Sequence, residues 1–368
     1  MKKMLVACKN MNVGGVEQSL LSFLNSLDRT QYEVDLLLLE RTGNFIEEIP
    51  SWIHIIEYRN YRNIQDELHN PPIHSIIKNI KQKNWLKGLK LAIAYAKTKF
   101  TQDYYFFYQE VFKTCPALNK TYDIAIAYSS LMTYLAWIVV YKVRAKKYIG
   151  WIHFDIQKMG FNKKVLLRLH QSMATIYVVS QEALQHFIDA FPQLKDKAQL
   201  KYNIINEKQI LEKANQDNVY IKKGNKKILV TLGRLTQEKG QDIIPEIIYE
   251  LKKKNYDIAW YIIGKGALAH NIKERAAKLG VLDAIYLLGE QKNPYPYLKQ
   301  ADVYVQTSIH EGFCITLAEA KLFGMPIVST HFTGAAEQLI NRSDCFIVER
   351  NTKDLTNAIE RALKNYVI

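Results

Sequence analysis

The sequence predicts an α/β protein made of two Rossmann-like domains facing a central cleft. Three observations lead there. Short apolar runs alternate with amphipathic runs along nearly the whole chain. The alternation stops at a polar stretch, 206–226, and then starts again. The 368 residues suit two domains of roughly 100–200 residues each. Continuous apolar strands alternating with helices mean parallel sheets covered on both faces.

Taken in order, KMLVAC at 3–8 reads as a buried first strand. Gly14 and Gly15 make the turn after it, and a helix runs from about Glu17 to Leu27. Further strands are expected at 32–39, 123–127, 147–152, 175–179 and 199–204. Residues 58–120 are aromatic, basic and mostly helical, with no motif to place. The second series has strands at 227–232, 258–263, 284–289, 303–307, 326–329 and 345–348. An amphipathic helix closes the chain at 352–366. The expected domains are 1–206 and 207–350. The last segment, 351–368, is expected to be a helix packing back toward the first domain.

Composition narrows the class. Apolar residues make up 48% and charged residues 23%, which excludes wholesale disorder and collagen-like or coiled-coil architecture. The most membrane-like run, LMTYLAWIVVY at 131–141, is too short for a spanning helix of about 20 residues. The first residues hold only a few apolar positions before Lys9, so a buried strand is expected there rather than a secretory signal. Cysteines 8, 115, 314 and 345 form no C-x-x-C pair and no metal-like spacing. Scattered thiols of this kind fit a reducing cytoplasm.

Net charge is +14 and unevenly spread. Residues 1–206 hold 27 basic and 17 acidic side chains, the remainder 23 and 19. Between His69 and Gln102 lie seven lysines and no acid, interleaved with Trp85, Leu86, Leu89, Leu91, Ile93 and Tyr95. Two readings fit: peripheral contact with an anionic membrane or phosphate-rich partner, and a solvated helix face. No helix-turn-helix, RNP or zinc pattern accompanies the charge, so nucleic acid is not an expected partner.

In open α/β sheets ligands bind beyond the carboxyl ends of the strands. Four strand-to-helix loops there carry chemistry. The first is Asn10, Gly14, Gly15 and Glu17, where glycines let backbone approach an anion at a helix start. An ordinary tight turn fits as well. The second is Trp151, His153 and Asp155, where His153 can donate to a sugar hydroxyl or fill a structural place. The third is TLGRLTQEKG, 231–240. Gly233 ends the strand, and Arg234 and Lys239 form a cationic clamp suited to a diphosphate. The fourth is SIHEGFCITLAEAKLFGMPIVST, 308–330, with Glu311 and Glu319 separated by seven residues. A helix starting near Cys314 or Ile315 would place Glu319 about one turn inside it, and the backbone amides at its start can hold a phosphate.

Together these loops resemble the retaining glycosyltransferases of family 4, which have the GT-B fold. The resemblance spans nearly the full chain and implies that 1–206 is the acceptor side and 207–350 the nucleotide-sugar side. It rests most on G-R-x4-K-G, on Gly264-x-Gly266, on LGEQKNPYPYLKQADVYVQTS and on E-x7-E. WIH-x-D matches members that build bacterial surface polysaccharides such as capsule and lipopolysaccharide. The resemblance implies sugar transfer from a nucleotide-diphosphate donor, with a UDP-sugar favoured, to a hydroxyl of a glycan or lipid-diphosphate-linked acceptor. The anomeric configuration is retained, without metal or cofactor. It gives Arg234 and Lys239 to the donor diphosphate, Glu311 to the transferred sugar and Glu319 to the ribose. His153 goes to the sugar near its 6-position, and Gly14 and Gly15 go to the diphosphate. Gly233, Gly312 and the amides of Phe313, Cys314, Ile315 and Thr316 line the donor site, with Gln291 near the base. Cys314 departs from the small residue or proline common there, and as a non-proline it adds an N–H. The implied place is the cytoplasm or the inner face of the membrane. The alternatives are a non-catalytic nucleotide-sugar-binding protein and a nucleotide-sugar epimerase of the same fold. A dehydrogenase would need G-x-G-x-x-G after the first strand, where this chain has Asn10-Met11-Asn12-Val13-Gly14-Gly15.

Overall fold

The computed structural model describes residues 1–158, 160–215, 219, 226–340 and 342–365. Of the polar stretch 206–226, residues 216–218 and 220–225 therefore lie outside the described residues, as does residue 366 of the expected last helix. The chain divides into two compact units between Tyr202 and Asn203.

The first unit begins with β1 (Lys2–Cys8), α1 (Gly15–Asn25), β2 (Tyr32–Leu38) and β3 (His54–Glu57). Four helices follow: α2 (Tyr61–His69), α3 (Pro72–Lys81), α4 (Trp85–Thr101) and α5 (Tyr105–Val111). Then come β4 (Thr121–Ala127), α6 (Thr133–Lys142), β5 (Arg144–Ile152), α7 (Lys163–Gln171), β6 (Thr175–Val178), α8 (Gln181–Ala190) and β7 (Ala198–Leu200). The seven strands form one sheet in the order β3-β2-β1-β4-β5-β6-β7. All its pairings are parallel.

The second unit holds α9 (Glu207–Lys213), β8 (Lys227–Leu232), α10 (Ile244–Lys253), β9 (Ile258–Ile263), α11 (Leu268–Lys278) and β10 (Ile285–Gly289). It continues with α12 (Tyr295–Gln300), β11 (Val303–Gln306), α13 (Ile315–Ala320), β12 (Ile327–Thr330), α14 (Ala335–Leu339), β13 (Cys345–Val348) and α15 (Thr352–Asn365). Its parallel sheet has the order β10-β9-β8-β11-β12-β13. In each sheet the chain order reverses beside the first strand, between β1 and β4 and between β8 and β11. That reversal separates the two outgoing loops and opens a crevice at the strands' carboxyl ends.

The apolar run 131–141 becomes α6. Leu135, Ala136, Ile138 and Val139 are fully buried, and Trp137 stacks on Phe112 with ring centroids 5.8 Å apart. Its hydrophobicity thus serves the core, and among the described residues no helix is long and apolar enough to cross a membrane. The strand expected at 199–204 shortens to the three residues of β7, and β3 is an edge strand the sequence reading did not include. The last helix, α15, packs on α10 and along β12 and β13, burying Leu355, Ala358, Ile359 and Ala362.

The basic segment folds as a helical hairpin of α3 and α4. One face of α4 leaves Trp85, Leu86, Leu89, Ile93 and Phe100 in solvent, with Trp85 64% and Phe100 92% exposed. Ile73 and Ile77 of α3 are exposed as well. Two of the seven lysines have acidic partners that the sequence window hid. Lys78 donates to Asp66 at 2.9 Å and Lys87 to the buried Glu67 at 2.5 Å, both from α2.

At the other end of the sheet, buried Asp35 of β2 accepts bonds from Lys120 at 2.7 Å and from the Tyr122 hydroxyl at 2.6 Å. His54 Nδ1 lies 3.1 Å from it. Burial works against its charge, but these partners hold its carboxyl below the usual range. Replacing Asp35 by Ala strands two donors, and about 2–3 kcal/mol of stability should be lost. Because the folded carboxyl is the stronger acid, its stabilisation is present above the unfolded value and fades as pH falls through the folded one. Urea unfolding of Asp35→Ala and wild type should therefore differ at pH 7 and converge toward pH 3. Equal midpoints at pH 7 would contradict this.

Candidate active site

The loop after β8 carries the basic pair. Gly240 is left-handed, with φ of +62°, and a Cβ there would lie 2.5 Å from the Thr307 carbonyl and 2.6 Å from Arg350 Nε. Only glycine fits that turn. The peptides on either side of it are each pinned: Thr307 Oγ1 donates to the Lys239 carbonyl at 2.9 Å, and Arg350 Nη2 to the Gly240 carbonyl at 3.1 Å. Lys239 is thereby aimed across to the loop after β11, where its Nζ meets Glu311 Oε1 at 2.5 Å. Ser308 Oγ donates to the same oxygen at 2.7 Å.

Lys239 and Glu311 are both largely buried. Burial alone would lower the ammonium's pKa, but Glu311 opposite outweighs it and holds Lys239 above its ordinary value. Arg234 sits on the same loop with its side chain 61% exposed, in loose contact with Glu238 at 3.5 Å. The structure thus places one paired and one exposed cation on one loop, as the G-R-x4-K-G spacing suggests.

Gly312, Phe313 and Cys314 follow Glu311 into α13. Cys314 is the residue before the helix and adopts φ of +57°. The amides of Ile315 and Thr316 belong to the helix's first turn, whose N–H groups have no partner within a helix. α13 is only six residues long, so its dipole is smaller than the sequence suggested, and cationic side chains carry more of any anion binding. The Cys314 thiol is buried, which pushes its pKa up, with Glu311 adding to the effect. It therefore stays a neutral thiol, 3.4 Å from Thr316 Oγ1.

The ends of β8, β9 and β10 are stitched together beside this loop. Gly264 has φ of +143°, and a Cβ on it would fall 2.0 Å from the Gly233 carbonyl. Its N–H donates to the Gly289 carbonyl at 2.8 Å. Gln291 turns its amide to the Leu288 carbonyl at 2.8 Å. Glu319 is 4% exposed and accepts a bond from the Tyr295 hydroxyl of α12 at 2.9 Å. The sequence reading did not single out Tyr295 or Ser308. Ser308 directly precedes the IHE triplet, but nothing in the sequence marks Tyr295 as the partner of a residue 24 positions on.

In the first unit, Gly14 precedes α1 in extended backbone and Gly15 is its first residue. His153 follows β5 and is 6% exposed, its ring 4.7 Å from that of Tyr128 and nearly parallel to that of Trp151. Asp155 accepts from the Gln157 amide at 2.9 Å and lies 3.0 Å from His186 Nδ1. His186 is a partner the sequence reading missed. Among the described residues no group of three or more His, Cys, Asp or Glu side chains is arranged to hold a metal.

Residues 212–366 match the family described as glycosyl transferases group 1. The chain is similar to that family over this stretch. It is 27% identical over 215 residues to an uncharacterised glycosyltransferase of Methanocaldococcus jannaschii, covering 54% of this chain and 52% of that protein. It is also 27% identical over 177 residues to a Campylobacter jejuni N-acetylgalactosaminyltransferase whose name specifies a diphospho-undecaprenol-linked acceptor. That match covers 48% of this chain and 47% of the relative. The chain thus spans about half the length of these two relatives. In fold it is similar over its whole length to Anabaena HepE solved with UDP, at TM-score 0.69 and 16% identity, covering 91% of that chain. It is similar in the same way to the lipopolysaccharide outer core galactosyltransferase WaaB, at TM-score 0.60 and 16% identity, covering 92% of that chain. The fold is GT-B.

Within residues 212–366 the two carboxylates of E-x7-E live in opposite surroundings. Glu311 faces an ammonium. Glu319 is enclosed, and burial pushes its pKa up to about 7 against the pull of Tyr295 and Lys213. Between the ordinary carboxylate value and about 7, the folded state holds a proton that the unfolded state has released. Stability therefore falls as pH rises through that window. The total is on the order of 3 kcal/mol, since each tenfold change in proton affinity is worth about 1.4 kcal/mol. Glu319→Gln should remove this slope, so the variant should be the more stable protein at pH 8 and near wild type at pH 5. Denaturant unfolding at the two pH values checks this, and parallel behaviour of the two proteins would overturn it.

Proposed function

We propose that the chain is a glycosyltransferase of polysaccharide biosynthesis. It moves a sugar from a nucleotide-diphosphate donor, UDP-sugar favoured, to a hydroxyl of a glycan or lipid-diphosphate-linked acceptor. The observation that carries this is the Lys239–Glu311 pair at the switch point of the second sheet, with Arg234 exposed on the same loop, inside the stretch that matches the group 1 family. The Campylobacter relative's printed acceptor supports the lipid-linked class.

The chemistry follows from the charges. A donor diphosphate brings negative charge to a site where Lys239 is already neutralised and Arg234 is exposed. Arg234 takes the phosphate first, by two parallel hydrogen bonds, and Lys239 shares its remaining protons between phosphate and Glu311. The bond from the sugar's anomeric carbon to the phosphate oxygen breaks, and the acceptor oxygen attaches on the same face. The acceptor's proton passes to the departing diphosphate, so the configuration is retained. The cations stabilise the charge that develops on the leaving group, without a metal. Glu311 holds sugar hydroxyls through its second oxygen, and Glu319, once ionised, accepts the ribose hydroxyls.

A panel of UDP-, GDP- and ADP-sugars should contain a donor that raises the melting temperature and is hydrolysed or transferred in the presence of EDTA. Lys239→Gln should lower that turnover by about 10²–10³-fold while keeping the fold. Full activity in a folded Lys239→Gln protein would remove the diphosphate clamp. Loss of turnover to EDTA, restored by magnesium, would remove the metal-free mechanism.

The enzyme works at an anionic membrane surface through the α3–α4 hairpin. Exposed Trp85, Leu86, Leu89, Ile93 and Phe100 supply the apolar contact. Lys81, Lys83 and Lys90 supply charge and, among the described residues, have no acidic partner of the kind that Lys78 and Lys87 have. Each adds on the order of 1 kcal/mol near an anionic surface, less as salt rises. Binding to phosphatidylglycerol–phosphatidylcholine vesicles should fall with salt and vanish in the Lys81→Glu, Lys83→Glu, Lys90→Glu protein, with UDP affinity unchanged. Equal vesicle binding by that variant would leave the face merely solvated.

A further inference from the structure

Behind Glu311, the strand that leads to it ends in a buried glutamine. Gln306 is the last residue of β11, on the same face as Tyr304, and both are fully buried. A glutamine in that position costs desolvation unless each amide atom finds a partner. All of them do. Its Oε1 accepts from the Tyr304 hydroxyl and, at 3.4 Å, from Thr316 Oγ1. Its Nε2 donates to Ser308 Oγ at 2.7 Å and reaches Glu311 Oε1 at 3.4 Å.

The direction of this chain is fixed by its two ends. Burial raises the Tyr304 phenol well above its ordinary range, so that hydroxyl keeps its proton and donates. Glu311 can only accept as a carboxylate. Between them Gln306 must turn its carbonyl to the tyrosine and its NH₂ to Ser308, and the Ser308 proton must point at Glu311. Thr330 Oγ1 holds the same segment by donating to the Ser308 carbonyl at 2.5 Å. Every donor that this relay and Lys239 supply falls on Oε1 of Glu311.

We propose that Gln306 and Ser308 are positioning residues that commit one oxygen of Glu311 to the protein and present the other to the sugar of the donor. The proposal rests on the glycosyltransferase reading of this site. Neither residue touches the ligand. They hold the carboxylate in one rotamer, so that hydroxyl recognition needs no further ordering on binding.

The test separates nucleotide from sugar. Calorimetry with UDP, UDP-glucose, UDP-N-acetylglucosamine, GDP and GDP-mannose measures how much the sugar adds to the affinity of its nucleotide. Gln306→Met keeps the shape and removes the amide, and Ser308→Ala is a smaller change if the first variant folds poorly. Each should leave nucleotide affinity within about twofold and reduce the sugar's contribution, with kcat for donor hydrolysis, by roughly ten- to a hundredfold, the range of a hydrogen bond to a charged group. In a Glu311→Gln background, Gln306→Met should add almost nothing, because both changes break the same chain. Unchanged sugar recognition, loss of nucleotide affinity along with it, or losses that multiply in the Glu311→Gln background would overturn the relay. Failure of the wild-type chain to bind any of the five probes would instead remove the donor-site reading, and the relay with it.

Discussion

The ion pair between Lys239 and Glu311 constrains the second unit most. The two residues are 72 positions apart and lie on the outgoing loops of β8 and β11, adjacent strands on either side of the topological reversal. A buried pair of this kind is costly to break, because losing either partner leaves an uncompensated charge. The surrounding sequence is correspondingly exacting. Gly240 is required by the turn, Thr307 and Arg350 fix the peptides on either side of it, and Ser308 fixes the carboxylate. Without these contacts two long, flexible side chains would have to be ordered at the moment a ligand arrived.

Much of this was legible in the sequence, and the remainder has identifiable physical causes. Parallel strands buried on both faces announce themselves as apolar runs, so β1, β8 and β9 agree with their expected limits to within a residue. β3 escapes because HIIE is a four-residue edge strand, only partly buried, with no alternation to distinguish it from a loop. The spacing of Arg234, Lys239, Glu311 and Glu319 was enough to find the candidate site. It could not show that Glu311 and Lys239 bond to each other, since spacing along the chain says nothing of distance across a sheet. Tyr295 and Gln306 were invisible for a related reason. Each is a polar residue inside an apolar stretch, and its meaning appears only with its partner in place. The lysine count over 69–102 misled in one respect. Asp66 and Glu67 lie just outside that window, yet α2 brings them onto Lys78 and Lys87.

Two apolar segments of the first unit show that hydrophobicity by itself does not say where a helix goes. The run at 131–141 is the more apolar, and it is buried as α6 against the sheet. The segment at 73–100 is broken by lysines, and it keeps Ile73, Ile77, Trp85, Leu86, Leu89, Ile93 and Phe100 in water. The difference is periodicity. α6 is apolar around its circumference and must be enclosed. α3 and α4 bury Ser75, Asn79, Gly88, Leu91 and Thr98 against neighbours and turn Ile73, Ile77, Trp85, Leu89 and Ile93 outward. A helix that buries small and polar residues while exposing a tryptophan and several isoleucines and leucines has its apolar face on the wrong side for a protein alone in water. The proposed membrane contact resolves that inversion.

The two carboxylates of the E-x7-E motif show how one loop and helix can separate two roles by environment. Glu311 has an ammonium and a hydroxyl aimed at a single oxygen. Glu319 accepts from one phenol and is buried, and burial pushes its pKa up to about 7. The first carboxylate has permanent donors within the protein. The second needs added donors to favour its charged form, since hydrogen bonds to a carboxylate stabilise the anion. On the proposed reading a ribose brings two such donors. Binding would then complete the ionisation of Glu319, and the cost of keeping a half-neutral carboxylate in the empty site would return as affinity for the nucleotide.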